Sequence, residues 1–186
     1  MTEQVARQRM ARRNFVLGLT VPLGIALAGL PGRQAQAAIR ERSVLLHHCH
    51  TGEMLQTVYF ADGRYQPEAL REATHHLRDW RDNTQLPIDP GVLDLLWSLR
   101  AALATTAPIQ VYCGYRSPET NAMLRRTHHG AARNSLHMHA MAVDLFVPDR
   151  PLRAVRAAAV GLRGGGVGYY PRSGFVHVDT GDIRYW

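Results

Sequence analysis

The stretch Ser135-Leu136-His137-Met138-His139-Ala140-Met141-Ala142-Val143-Asp144 sets two imidazoles and a carboxylate close together, and Phe175-Val176-His177-Val178-Asp179 adds another of each near the end of the chain. Together such groups suit a metal: a catalytic zinc takes three protein ligands of nitrogen or oxygen type and leaves a fourth position for water. Local spacing does not choose the set. In a regular strand His137 and Asp144 would point to opposite faces, so they converge only if the chain turns between them. His137 and His139 would share a strand face and form a competing pair. Most of the other histidines run in pairs, His47-His48, His75-His76 and His128-His129, without ligand-like neighbours, and are read as surface or satisfied rings.

These side chains need a frame. Ser43 to His50 is a β-type run, Thr51-Gly52-Glu53 a turn, and Leu55 to Phe60 the return strand of a hairpin. Pro67 to Arg81 places Leu70, Ala73, Leu77 and Trp80 at spacings of three and four, which predicts an amphipathic helix. Gly91 to Ala104 repeats the pattern with Val92, Leu95, Leu96, Leu99 and Leu103. Ile109 to Gly114 is a short strand, and Glu119 to Arg126 a helix capped by Ser117 ahead of Pro118. A polar loop over Thr127 to Ser135 leads to a strand around Ala142 to Val147. A helix from Pro151 to Leu162, the turn Gly164-Gly165-Gly166 and strands around Val167 to Tyr170 and Phe175 to Asp179 complete the order. It predicts an α+β domain, a small antiparallel sheet with flanking helices.

The first 37 residues read as an address. Arg7, Arg9, Arg12 and Arg13 form a positive region, Arg12-Arg13-Asn14-Phe15 resembles the twin-arginine export signal, and Ala35-Gln36-Ala37 offers a small-x-small cleavage site. The apolar run Phe15 to Leu30 is 16 residues long, short of the roughly 20 that cross a bilayer. Membrane contact is therefore expected only through an uncleaved signal. Residues 38–186 then form one domain with a single core. The chain carries +7, but the leader holds five arginines and one acid, leaving 17 arginines against 14 acids, or +3. So mild and dispersed a charge argues against nucleic acid as a partner. Cys49 and Cys113 lack Cys-x-x-Cys spacing; in an oxidising compartment a bridge between them could persist, and buried free thiols are the alternative.

Ser135-x-His137-x-x-x-x-Ala142-x-Asp144, with Gly114-Tyr115-Arg116-Ser117 upstream and His177 late, resembles the zinc D-Ala-D-Ala peptidase superfamily that includes Hedgehog-like domains. The likeness is greatest to the murein endopeptidase MepK (YcbK) family. It also runs through His50-Thr51-Gly52-Glu53, Ile88-Asp89-Pro90-Gly91, Gly164 to Ser173, Phe175 to Gly181 and the terminal Trp186. The resemblance implies Zn2+ held by His137, Asp144 and His177, with Arg116 and Ser135 on the substrate side. It further implies a periplasmic hydrolase of peptidoglycan stem-peptide cross-links, between diaminopimelate residues, in cell-wall growth or remodelling. A D,D- or L,D-carboxypeptidase and a non-catalytic zinc-containing wall-binding module are the alternatives. The sequence departs from the superfamily in two places. Ala140 stands where glycine is usual and would ease a positive φ, and Gly174 stands where many members place a catalytic Glu. That leaves Asp179, as base or as support for a ligand, and His139 as candidates for handling protons.

Overall fold

A computed structural model of the chain describes residues 41–127 and 131–186. The expected leader lies outside the described residues, as do His128, His129 and Gly130 of the polar loop. In β1 (Arg42–His48) Val44, Leu46 and His48 are buried and their neighbours are not, the alternation of a strand with one covered face. β2 (Met54–Ala61) returns antiparallel, and β3 (Arg64–Tyr65) follows the tight turn Asp62-Gly63, where both residues have positive φ. An Asp-Gly pair suits that turn, since its twist matches the strands and both φ must be positive.

β4 (Ile109–Cys113), β5 (Ala142–Phe146), β6 (Gly166–Tyr170), β7 (Phe175–Asp179) and β8 (Arg184–Tyr185) complete an eight-stranded sheet of order β3-β2-β1-β4-β5-β7-β6-β8. The sheet is mixed rather than antiparallel throughout. β4 runs parallel to β1 because two helices and a hairpin intervene before the chain re-enters beside it, and β8 runs parallel to β6.

Helices α1 (Pro67–His76), α2 (Pro90–Ala102) and α4 (Leu152–Leu162) cover one face, α1 against β2, α2 against β1 and α4 against β6 and β7. Val44, Leu46, Ile109, Val111, Val143, Leu145, Val176 and Val178 meet Ala73, Leu93, Leu96, Leu99 and Val155 in the core. Each fully buried leucine there contributes roughly 2 kcal/mol. The alternating residues, Asp144, Phe146, Phe175 and His177, point to the opposite face.

α1 is shorter than its apolar spacing predicts. It stops at His76 because the next residues have tertiary duties: the Leu77 carbonyl accepts from Tyr115 N at 2.7 Å, Arg78 grips Glu53, and the Asp79 carboxylate accepts from Ser117 N at 2.9 Å. Asp79 thereby anchors α3 (Pro118–Thr127), whose first turn Ser117 caps by accepting from Thr120 N at 3.0 Å.

Candidate metal centre

The turn that His137 and Asp144 require is present. Leu136–His139 forms a single 3-10 turn, and Ala140 ends it in the left-handed region at φ 53°, ψ 32°. A β-carbon there costs about 1–2 kcal/mol, so the residue that usually is glycine in the superfamily keeps the conformation despite its methyl group. Asp89 helps to hold it. Asp89 N donates to the Ala140 carbonyl at 3.1 Å, while the Asp89 carboxylate caps α2 through Gly91 N and accepts from Thr180 Oγ1 at 2.6 Å. Asp144 on β5 then faces His177 on β7 as a direct register pair.

His137, Asp144 and His177 meet at a common point, all buried. Asp144 Oδ1 lies 2.8 Å from His177 Nδ1 and 3.2 Å from His137 Nε2, and the two ring nitrogens are 3.2 Å apart. Each imidazole gives its other nitrogen to an acceptor behind it. His137 Nδ1 is 2.7 Å from the Gly114 carbonyl, and His177 Nε2 is 3.0 Å from Asp179 Oδ2. With a proton on each of those outer nitrogens, the inner nitrogens present lone pairs, and with the Asp144 oxygen they form three acceptors aimed at one spot. Donors about 2.0–2.1 Å from a tetrahedral ion stand about 3.3 Å apart, close to the spacings seen. The electrostatics show how strongly these groups are coupled. Burial alone would push His137 down, but the Asp144 carboxylate and Cys113 outweigh it and hold the ring well above its ordinary value. Burial raises Asp144, and His137 and His177 reverse this and hold it below the usual carboxylate range. Positive charge is therefore favoured at this spot, as a proton on His137 or as a metal ion in its place.

Asp179 is fully buried behind His177. Its Oδ1 accepts from Gly166 N, Gly181 N and Arg184 Nη1 at 3.0, 2.9 and 3.1 Å, and its Oδ2 from Arg184 Nη2 at 2.7 Å as well as from the ring. A carboxylate so occupied supports the imidazole and has no free oxygen turned to the cavity, which favours the supporting role over that of a base. His139 is exposed, on the outside of the 3-10 turn. Gly174 lies in the β6–β7 turn at φ 78°.

Spacing gave no reason to place Cys113 here. It is the register partner of Asp144, and its sulfur forms with His137 and Asp144 a buried group whose donor atoms lie within 4.8 Å of one another, able to hold a metal ion. Both cysteines are free. Burial would raise the Cys113 thiol, but His137 and Arg116 turn the shift downward. Arg116 reaches the same place: Nη2 is 3.5 Å from Cys113 Sγ and 3.7 Å from Asp144 Oδ2, Nη1 is 3.3 Å from Asn121 Oδ1, and the buried Nε has no partner.

These residues border a cavity of about 560 Å³, which Ser135 also lines. His50, from the His50-Thr51-Gly52-Glu53 turn, lines it too. Glu53 pairs bidentately with Arg78 at 2.8 and 2.9 Å, and His50 stacks on Trp80 at 4.2 Å between ring centres. Tyr112, Phe175, Tyr170 and Trp186 carry the aromatic lining across the sheet. Of these, Trp186 was noted in the sequence only as a terminal residue; its place depends on β8, whose two residues are too short to show a period.

Among the described residues no helix is long and apolar enough to cross a membrane. A family model described as peptidoglycan L,D-endopeptidase MepK matches residues 36–186. The chain is 42% identical over 178 residues to the peptidoglycan L,D-endopeptidase MepK of Escherichia coli K12, a match covering 95% of this chain and 97% of that protein. It is 36% identical over 185 residues to the probable peptidoglycan L,D-endopeptidase MepK of Haemophilus influenzae, covering 99% and 96%. With a buried donor cluster on the open face of the sheet and matches spanning nearly its whole length, the chain belongs to the MepK family of peptidases.

Proposed function

We propose that this chain is a zinc-dependent murein endopeptidase that hydrolyses L,D peptide cross-links of peptidoglycan, between diaminopimelate residues, in the periplasm. In this reading residues 1–37 are a twin-arginine signal and 38–186 the catalytic domain. The observation that carries it is the convergence of His137 Nε2, His177 Nδ1 and Asp144 Oδ1 on one spot, with an acceptor behind each imidazole able to take its proton. A nitrogen and oxygen donor set of this kind suits zinc, which when bound supplies a Lewis acid and a water of lowered pKa.

The rest falls to side chains. Asp179 holds His177 in the tautomer that offers Nδ1, the part a carboxylate behind a ligand imidazole plays. The Gly114 carbonyl does the same for His137. Arg116, with a buried Nε and only long contacts at its other nitrogens, keeps donors for a substrate carboxylate or for the carbonyl oxygen as it gains charge. Ser135 on the cavity wall is placed on the substrate side. Proton transfer is left to a group other than Asp179, whose oxygens are all engaged.

Digestion of purified sacculi by the zinc-loaded mature chain, with products separated by mass, tests this reading. Loss of cross-linked dimers is expected. Shortened monomers with dimers intact would make the protein a carboxypeptidase, and binding to sacculi without released peptide would make it a wall-binding module.

A further inference from the structure

Trp186 is held by three hydrogen bonds. Trp186 N donates to the Val167 carbonyl at 3.2 Å, the Trp186 carbonyl accepts from Tyr169 N at 2.9 Å, and the indole Nε1 donates to the Tyr170 hydroxyl at 2.7 Å. The ring lies flat over Gly168, where a β-carbon would come within 2.7–2.8 Å of Cε2, Cζ2 and Nε1. Gly168 is the register partner of His177. The space that a side chain beside this histidine would fill is thus taken by the indole, 5.4 Å from the imidazole between ring centres.

Holding His177 does not require this ring, because Asp179 already fixes its outer nitrogen. Trp186 is nevertheless 47% exposed and borders the cavity that His137, Asp144 and Arg116 also line. A tryptophan pinned by main chain and hydroxyl offers a large apolar face that loses no freedom on binding. The cavity therefore has Arg116 on one side of the converging donors and, on the other, the fixed indole of Trp186 with the Arg184 guanidinium 5.1 Å from its ring centre.

We propose that Trp186 is a substrate-binding residue whose indole packs the aliphatic arm of the stem-peptide residue next to the cleaved bond. The inference rests on the peptidase reading for the identity of the ligand, and on the fixed ring beside His177 for its place. It separates binding from metal retention: removing the ring should weaken substrate without touching the donors.

The test compares wild type, Trp186→Ala, Trp186→Phe and Gly168→Ala on a defined L,D-cross-linked muropeptide dimer, with zinc content measured in each. Gly168→Ala keeps the tryptophan and lets the new methyl group push the ring aside. Loss of one buried aliphatic contact predicts KM raised roughly five- to tenfold in Trp186→Ala and Gly168→Ala, kcat within about twofold, and zinc still equimolar. Trp186→Phe should recover most of the loss. An unchanged KM, or a joint fall of kcat and zinc content that marks a merely structural ring, overturns the proposal. If wild type cleaves no dimer, the peptidase reading fails instead. The proposal is then decided by 19F NMR of the zinc-loaded, 5-fluorotryptophan-labelled protein titrated with the L-Ala-D-Glu-diaminopimelate tripeptide. Movement of the Trp186 resonance, assigned with Trp186→Phe, upholds it, and a static resonance sinks it.

Discussion

Replacing Asp179 by Asn separates the two roles open to this carboxylate. Asn keeps the shape and one acceptor oxygen, which belongs at the Oδ1 position, where Gly166 N, Gly181 N and Arg184 Nη1 all donate. The amide nitrogen then falls at Oδ2, facing His177 Nε2 and Arg184 Nη2 at 3.0 and 2.7 Å. A donor would face two donors. The cheapest escape is for His177 to move its proton to Nδ1, which removes the lone pair directed at His137 and Asp144. Loss of such a carboxylate typically weakens metal affinity 10- to 100-fold, which corresponds to about 1.4–2.7 kcal/mol. The assay is competition for zinc between the protein and a chromophoric chelator, alongside turnover at saturating zinc. Weaker binding, with turnover partly restored by excess metal, is expected. Unchanged affinity with turnover abolished would refute the reasoning and make Asp179 a proton carrier.

Three further outcomes follow from the same geometry. His48 and His76 are buried, their Nε2 atoms have no partner, and burial, reinforced by their histidine neighbours, pushes both down to about 4. The unfolded chain therefore binds more protons than the native one between about pH 6.5 and 4, and stability falls as pH drops through that window, by about 3 kcal/mol for one ring. Denaturant unfolding of wild type and His76→Leu at pH 7.5 and 4.5 should show the smaller loss in the variant. A β-carbon at Gly114 would sit 2.5 Å from the Leu77 carbonyl oxygen, a backbone atom that cannot swing away. Gly114→Ala should cost roughly 1–3 kcal/mol in thermal unfolding and weaken metal binding, because the Gly114 carbonyl also orients His137. Cys113→Ser should leave equimolar zinc, and the cobalt-loaded wild type should lack a sulfur-to-cobalt charge-transfer band; such a band would make Cys113 a ligand.

Much of the frame was legible because its elements are amphipathic. The hairpin and the helices over Val92 to Leu99 and Val155 to Ala159 show their period, while the strands carrying Asp144 and His177, buried at nearly every position, read only as short β-type runs. What stayed hidden depends on partners far along the chain. The parallel pairing of β1 with β4 leaves no local mark, and α1 ends early because Leu77, Arg78 and Asp79 answer to Tyr115, Glu53 and Ser117. Cys113 could not be seen as a neighbour of His137 and Asp144 until the register of β4 and β5 was known. Asp179 looked equally like base and support from its spacing. Arg184 and the backbone amides of Gly166 and Gly181, which engage the carboxylate, favour support and could not be foreseen from spacing.

Anomalous diffraction at the zinc edge from crystals of the zinc-loaded protein tests the proposed centre most directly. The predicted peak lies about 2.0–2.2 Å from His137 Nε2, His177 Nδ1 and an Asp144 oxygen. A peak bound by Cys113 with His177 left outside, or none near these residues, would contradict it.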